Sequence, residues 1–102
     1  FPIARCYTEV ESAWLMVEKA ARMFDAGEPC GNEANMSKML ASEASWHAGD
    51  VRMQTHGGFA FAKEYHIERK FRETRIYQIA QISTNLILSY IGEHVLNMPR
   101  SF

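Results

Sequence analysis

The residues of this chain best suited to hold a ligand stand together at Gln54-Thr55-His56-Gly57-Gly58. Two adjacent glycines strip side chains from one spot, so the backbone can turn sharply and a ligand can approach closely. Bare backbone N–H groups suit an anion, and the amide of Gln54 can both donate and accept hydrogen bonds. Taken without its flanks, a Gly-Gly pair after a helical pattern reads as a helix C-cap. Behind the turn, Glu64–Arg75 is a dense charged run that includes Glu68, Arg69, Arg72, Glu73 and Arg75. On a helix, Glu68/Arg72 and Arg69/Glu73 fall at i,i+4 and pair, each worth about 0.2–0.5 kcal/mol. Arg69 and Arg72 share a face that could meet a carboxylate from elsewhere, but the run reads first as structural.

Other chemically capable residues form no recognisable motif. His47, His66 and His94 lack ligand spacing; His-x-x-x-His and Cys-x-x-Cys are both absent, so no metal ligand is assigned. His56 reads as a packed structural histidine. Cys6 and Cys30 are too few for a disulfide scaffold, and no Ser or Cys sits in a nucleophile setting. A net charge of −1 gives no pull toward nucleic acid or a membrane surface. No apolar run approaches a membrane span, and the first residues are not a signal peptide. The reduced, intracellular setting is the default, and the absent initiator Met suggests a piece of a longer protein.

The elements that must position these residues are helices. Val10, Ala13, Trp14, Val17, Ala20, Ala21 and Phe24 recur at i, i+3, i+4, i+7, marking an apolar stripe over residues 5–26. Gly27, Pro29 and Gly31 break it. A second helix is predicted from Asn32, as N-cap, to the Gly57-Gly58 turn, with Met36, Met39, Leu40, Ala44, Ala48 and Val51 inward and His47 near that face. Residues 59–63 read as an extended or irregular link. A third helix spans Ile67–Tyr77, and a fourth Ser83–Asn97 presents Leu86, Ile87, Tyr90, Ile91 and Val95, with Pro99 stopping it. Nothing reads as a strand. The methionines and Trp14/Trp46 look like core or interface. Short connections between long helices predict an all-α, antiparallel (up-down) helical bundle over 1–102.

The turn and the charged segment resemble the C-terminal helical domain of the acyl-CoA dehydrogenases. There a Gln-x-His-Gly-Gly turn precedes Glu-Tyr-x-x-Glu-Arg-x-x-Arg-Asp/Glu; here Glu64-Tyr65 and Glu68-Arg69 fall in the same order. Phe1-Pro2-Ile3-Ala4 resembles the family's Lys-Pro-Ile-x-x-x-Gln start without its Gln, Asp25-Ala26-Gly27 its first helix break, and Met36–Glu43 its Ala-Lys-Leu-Phe-Ala-Ser-Glu stretch. The resemblance implies an FAD-dependent oxidoreductase that α,β-dehydrogenates an acyl-CoA and passes electrons to an electron-transfer flavoprotein. It implies that Gln54, Gly57 and Gly58 touch the adenosine-diphosphate half of FAD, often a neighbouring subunit's. A homodimer or homotetramer built partly by this bundle follows, in the cytoplasm or a mitochondrial matrix. The piece alone would be inactive.

One family feature is missing. Most members follow the Arg-Asp segment with Tyr-Glu-Gly-Thr-Ser-Glu-Ile, whose Glu removes the substrate's α-proton. Aligned without gaps, Gln78 takes that place; shifted to pair Ser83-Thr84, Gln81 does. Residues 76–92 contain no Asp or Glu, and an amide is not a useful base. The base is therefore expected upstream of Phe1, as in members that carry it on an earlier helix. Gln78 could still bind substrate through its backbone N–H, holding the thioester carbonyl as in the family. The alternatives are a same-fold flavoprotein with altered or lost chemistry, and a non-catalytic helical oligomerisation module.

Overall fold

A computed structural model describes residues 1–101, which are helical with no strand among them. The order is α1 (Pro2–Asp25), α2 (Gly31–His56), short 3-10 turns at Gly57–Phe61 and Lys63–Tyr65, α3 (Ile67–Ile79) and α4 (Thr84–His94). α1 begins at once because Pro2 sits where a helix needs no N–H and its fixed φ already suits the helix. It closes into a turn at Gly27, φ +73°.

Antiparallel packing follows from which residues meet. Cys6, early in α1, reaches His47, late in α2, whereas Lys19 pairs with Glu33 at the other end. α3 runs back along α2 in the same sense: Phe71 stacks on Trp46 at 4.7 Å, and the Tyr77 carbonyl accepts from Lys38 Nζ at 2.7 Å. α2 and α3 approach closely because Gly49 is buried between them; a Cβ there would stand 3.1 Å from Thr74 Oγ1. α4 is tied to the start of α2 by the Tyr90 hydroxyl, which donates to Asn32 Oδ1. The fold is thus the predicted all-α antiparallel bundle, with α2 as its central member.

Local expectations fail in three places. Asn32 is not the N-cap of α2; Cys30 is, without a side-chain bond, and Asn32 serves Tyr90. Residues 59–63 are not an extended or irregular link throughout: around an extended Ala62 the chain winds through two 3-10 turns that bring Ala60 and Ile67 into the core. α4 ends at His94, before Asn97, which takes φ +54° in the following turn. The apolar stripe of α1 is present as read, with Ala13 buried and Val10, Trp14 and Phe24 exposed, Phe24 at 74%. Periodicity shows that a face is apolar without showing what covers it.

The core is accordingly thin. Among the described residues the buried apolar ones are Cys6, Ala13, Ala44, Ala60, Ile67 and Ile87, of which only Ile67 and Ile87 are large and sealed. The Cα radius of gyration is 16.1 Å, against about 13 Å for a compact domain of this length.

Candidate functional site

α2 presents one candidate patch at its C-terminus and lies beside a second near its middle. At the C-terminus, Gly57 takes φ +55°, ψ −135°, a conformation that side chains rarely adopt, and its N–H closes back on the carbonyls of Met53 and Gln54. Gly58 is different: its φ is not positive, and a Cβ added to it would meet nothing within 4 Å. Nothing in this chain therefore requires glycine at 58. The exposed Gln54 side chain makes no hydrogen bond among the described residues. Bare backbone, an unengaged amide and open space are what an external phosphate and ribose would need.

Beside them, the predicted packed histidine is exposed. The Nδ1–H of His56 donates to the Arg52 carbonyl at 3.0 Å, which fixes the tautomer. Phe59 and Tyr65 meet edge to face at 5.9 Å, and both are open to solvent. The charged run stays within α3, as its spacing suggests. Arg72 donates to Glu68 at 2.9 Å, while Glu73 receives Lys70 at 3.0 Å and Arg69 at 3.6 Å. The Glu73 carboxyl is held below its usual range, chiefly by the Lys70 hydrogen bond, which outweighs the opposing effect of desolvation and is reinforced by the charges of Lys70, Arg69 and Arg72. Arg69 and Arg72 each have a carboxylate on their own helix.

The second patch is the α3–α4 connection. Gln78 lies inside α3, so its N–H belongs to the helical ladder, and its side-chain oxygen accepts from Arg75. Gln81 lies beyond the helix at φ +62°, exposed, in the turn where the Ile82 N–H bonds the Ala80 carbonyl. Lys38, Ala41, Ser45, Tyr77 and Gln81 line a cavity of about 570 Å³. Arg75 rests over the Trp46 ring at 5.2 Å and borders this end. Lys38 and Gln54 are about 24 Å apart along α2 at roughly 1.5 Å per residue, so the two patches occupy separate places.

A third group escaped sequence reasoning because its members are far apart in the chain. Cys6 and Glu9 of α1 converge on His47 of α2, with Glu9 Oε2 2.6 Å and Cys6 Sγ 3.9 Å from His47 Nδ1.

Known proteins share this arrangement of sequence. A family model for the acyl-CoA dehydrogenase C-terminal domain matches residues 1–96. The acyl-CoA dehydrogenase FadE12 of Mycobacterium tuberculosis is 40% identical over 99% of this chain and 26% of its own length. The rat mitochondrial short/branched chain specific acyl-CoA dehydrogenase is 33% identical over 91% of the chain and 22% of its own length. Subunit CarC of the Acetobacterium woodii caffeyl-CoA reductase-Etf complex is 38% identical over 78% of the chain and 21% of its own length. The chain therefore spans about a quarter of the length of the curated relatives it matches. Match and fold agree: the chain belongs to the acyl-CoA dehydrogenase family, as its C-terminal helical domain.

Proposed function

We propose that this chain is the C-terminal bundle of an FAD-dependent oxidoreductase that works on the α,β bond of an acyl-CoA thioester. The observation that carries the cofactor reading is Gly58. It is a glycine with neither a conformational nor a packing need in this chain, beside an unengaged Gln54. Gln54 would bind the adenosine-diphosphate half of FAD through its amide, with Gly57 and Gly58 letting the ligand approach the backbone closely. FAD, when bound, supplies the hydride-accepting chemistry; the protein supplies binding and orientation.

The α3–α4 turn serves the thioester end. Of the two candidate glutamines, Gln81 has the better-placed backbone, since Gln78 spends its N–H inside α3. A backbone donor in this turn would polarise the substrate carbonyl and acidify the α-carbon. The proton itself must go to a group elsewhere, because residues 76–92 hold no carboxylate. The exposed Trp14, Leu15 and Phe24 of α1, and Phe59 and Phe61 by the glycine turn, fit burial against the rest of the protein and against a neighbouring subunit in a homodimer or homotetramer. An electron-transfer flavoprotein is the natural acceptor, in keeping with the likeness to a subunit of an Etf complex. That same likeness favours a second reading, reduction of an enoyl-CoA across the same bond.

No helix of the described residues is long and apolar enough to cross a membrane. The test is the visible spectrum of the full-length protein before and after a panel of acyl-CoAs. A flavin band bleached by one saturated class is the expected result. A flavin band that no acyl-CoA bleaches, but that an enoyl-CoA reoxidises after chemical reduction, supports the reductase reading. A colourless protein overturns both.

A further inference from the structure

We propose that Cys6, Glu9 and His47 form a three-ligand site for a zinc-class divalent cation, clamping α1 to α2. Cys6 and Glu9 are one turn apart on α1 and so share a face, and His47 enters from the facing helix. The three donor atoms lie within 4.8 Å of one another. Thiolate, imidazole and carboxylate are the donor types zinc prefers, at about 2.0–2.3 Å, and a tetrahedral ion wants its donors about 3.3–3.5 Å apart. The present Nδ1–Oε2 separation of 2.6 Å and Nδ1–Sγ separation of 3.9 Å bracket that spacing, so small side-chain rotations create it.

The arrangement is poorly explained as hydrogen bonding alone. Glu9 and Cys6 both address the same ring nitrogen, which carries at most one proton; only one of them receives it. That convergence also rules out a relay of the nucleophile–histidine–carboxylate kind, which uses the two ring nitrogens separately. A cation between the three would satisfy all of them. Cys6 is 8% exposed, which holds the sulfur in a fixed place. Glu9 and His47 stay partly open beside a cavity of about 360 Å³ that Glu43 also lines, one helical turn before His47. This cavity gives an ion a path in and leaves a fourth position for water.

The experiment is zinc titration of the chelator-treated full-length protein, by calorimetry with elemental counting after gel filtration. One zinc per chain is expected. Cys6→Ser and His47→Gln should each weaken binding by at least the ~10–100-fold that loss of an outer-shell partner costs, and Cys30→Ser should leave it unchanged. No stoichiometric zinc, or equal affinity in the Cys6→Ser and His47→Gln variants, overturns the site. Should those variants not fold, X-ray absorption at the zinc edge of the unmutated protein decides. One sulfur at about 2.3 Å is expected, and its absence overturns the proposal.

Discussion

The glycine turn after α2 and the glutamine turn after α3 end their helices by different physical means. The first is fixed by backbone geometry and backed by the core: Gly57 occupies a conformation reserved for glycine, and Ala60 and Ile67 immediately behind it are sealed. The second puts a non-glycine residue, Gln81, at φ +62°, and its apolar neighbours Ile79 and Ile82 are exposed. An end anchored by its own core can present bare backbone to a ligand without help. An end without such packing depends on whatever covers it, and here the covering surface lies outside this chain. The difference teaches that the glycine end is held by the bundle's own core, whereas the glutamine end is not.

Removing the anchor should give the largest effect. Ile67 is 1% exposed, and Ile67→Ala should cost about 2–5 kcal/mol by lost transfer energy and a residual cavity. Ile82→Ala, at the other turn, should cost under about 0.5 kcal/mol in this chain. Equal losses in urea unfolding would erase the contrast between the two ends.

The two glycines then divide folding from binding. Gly57→Ala forces a side chain into a strained region and should cost about 1–3 kcal/mol. Gly58→Ala should leave folding within about 0.5 kcal/mol while loosening flavin, because its Cβ meets nothing in this chain but would meet a closely bound phosphate. Unfolding curves paired with flavin retention after dialysis would separate them. A Gly58→Ala protein that keeps its flavin as tightly as before would remove the main support for cofactor contact there.

This asymmetry also explains what was legible in the sequence. Gly27, the Gly57-Gly58 pair and the 3.6-residue periodicity mark helix ends and faces through covalent geometry, so the bundle could be read directly. Features decided by competition between partners could not. Asn32 has the chemistry of an N-cap, but the Tyr90 hydroxyl, remote in sequence, claims its oxygen. Trp14 and Phe24 lie on a clear stripe, yet their burial depends on surfaces that α2 does not reach. The choice between Gln78 and Gln81 turned on where α3 ends, a boundary no glycine or proline marks. Cys6 and Glu9 sit one turn apart on α1, but His47 is remote in sequence and reaches them only because α2 packs antiparallel.

At the glutamine turn, Gln81→Gly separates backbone from side chain. It relieves a left-handed residue, worth about 1–2 kcal/mol, but adds unfolded-state freedom worth about 0.5–1 kcal/mol. Stability should therefore rise by about 0–1.5 kcal/mol. The N–H is retained, so turnover of the full-length enzyme should stay within a few fold if the backbone is what holds the thioester. Gln78→Ala should likewise leave most activity. A collapse in kcat for Gln81→Gly alone would make the amide side chain a participant.

The smallest expected effect lies between the two turns, on the solvent face of α3, where Glu73 joins Lys70 and Arg69. Its folded pKa is depressed, first by the Lys70 hydrogen bond and then by the surrounding positive charge. A depressed carboxyl contributes stability that is present above its unfolded pKa and is lost as pH falls through the folded one. Unfolding of the unmutated chain should therefore become easier on acidification through and below the ordinary carboxylate range, and Glu73→Gln should flatten that slope slightly. The group is solvent-exposed, so added salt should shrink the difference further. The comparison of the two ends requires this middle segment to be energetically quiet. A large, salt-resistant loss of acid stability on Glu73→Gln would instead make the α3 charge network a fixed brace joining the two turns, and their differences would no longer be independent.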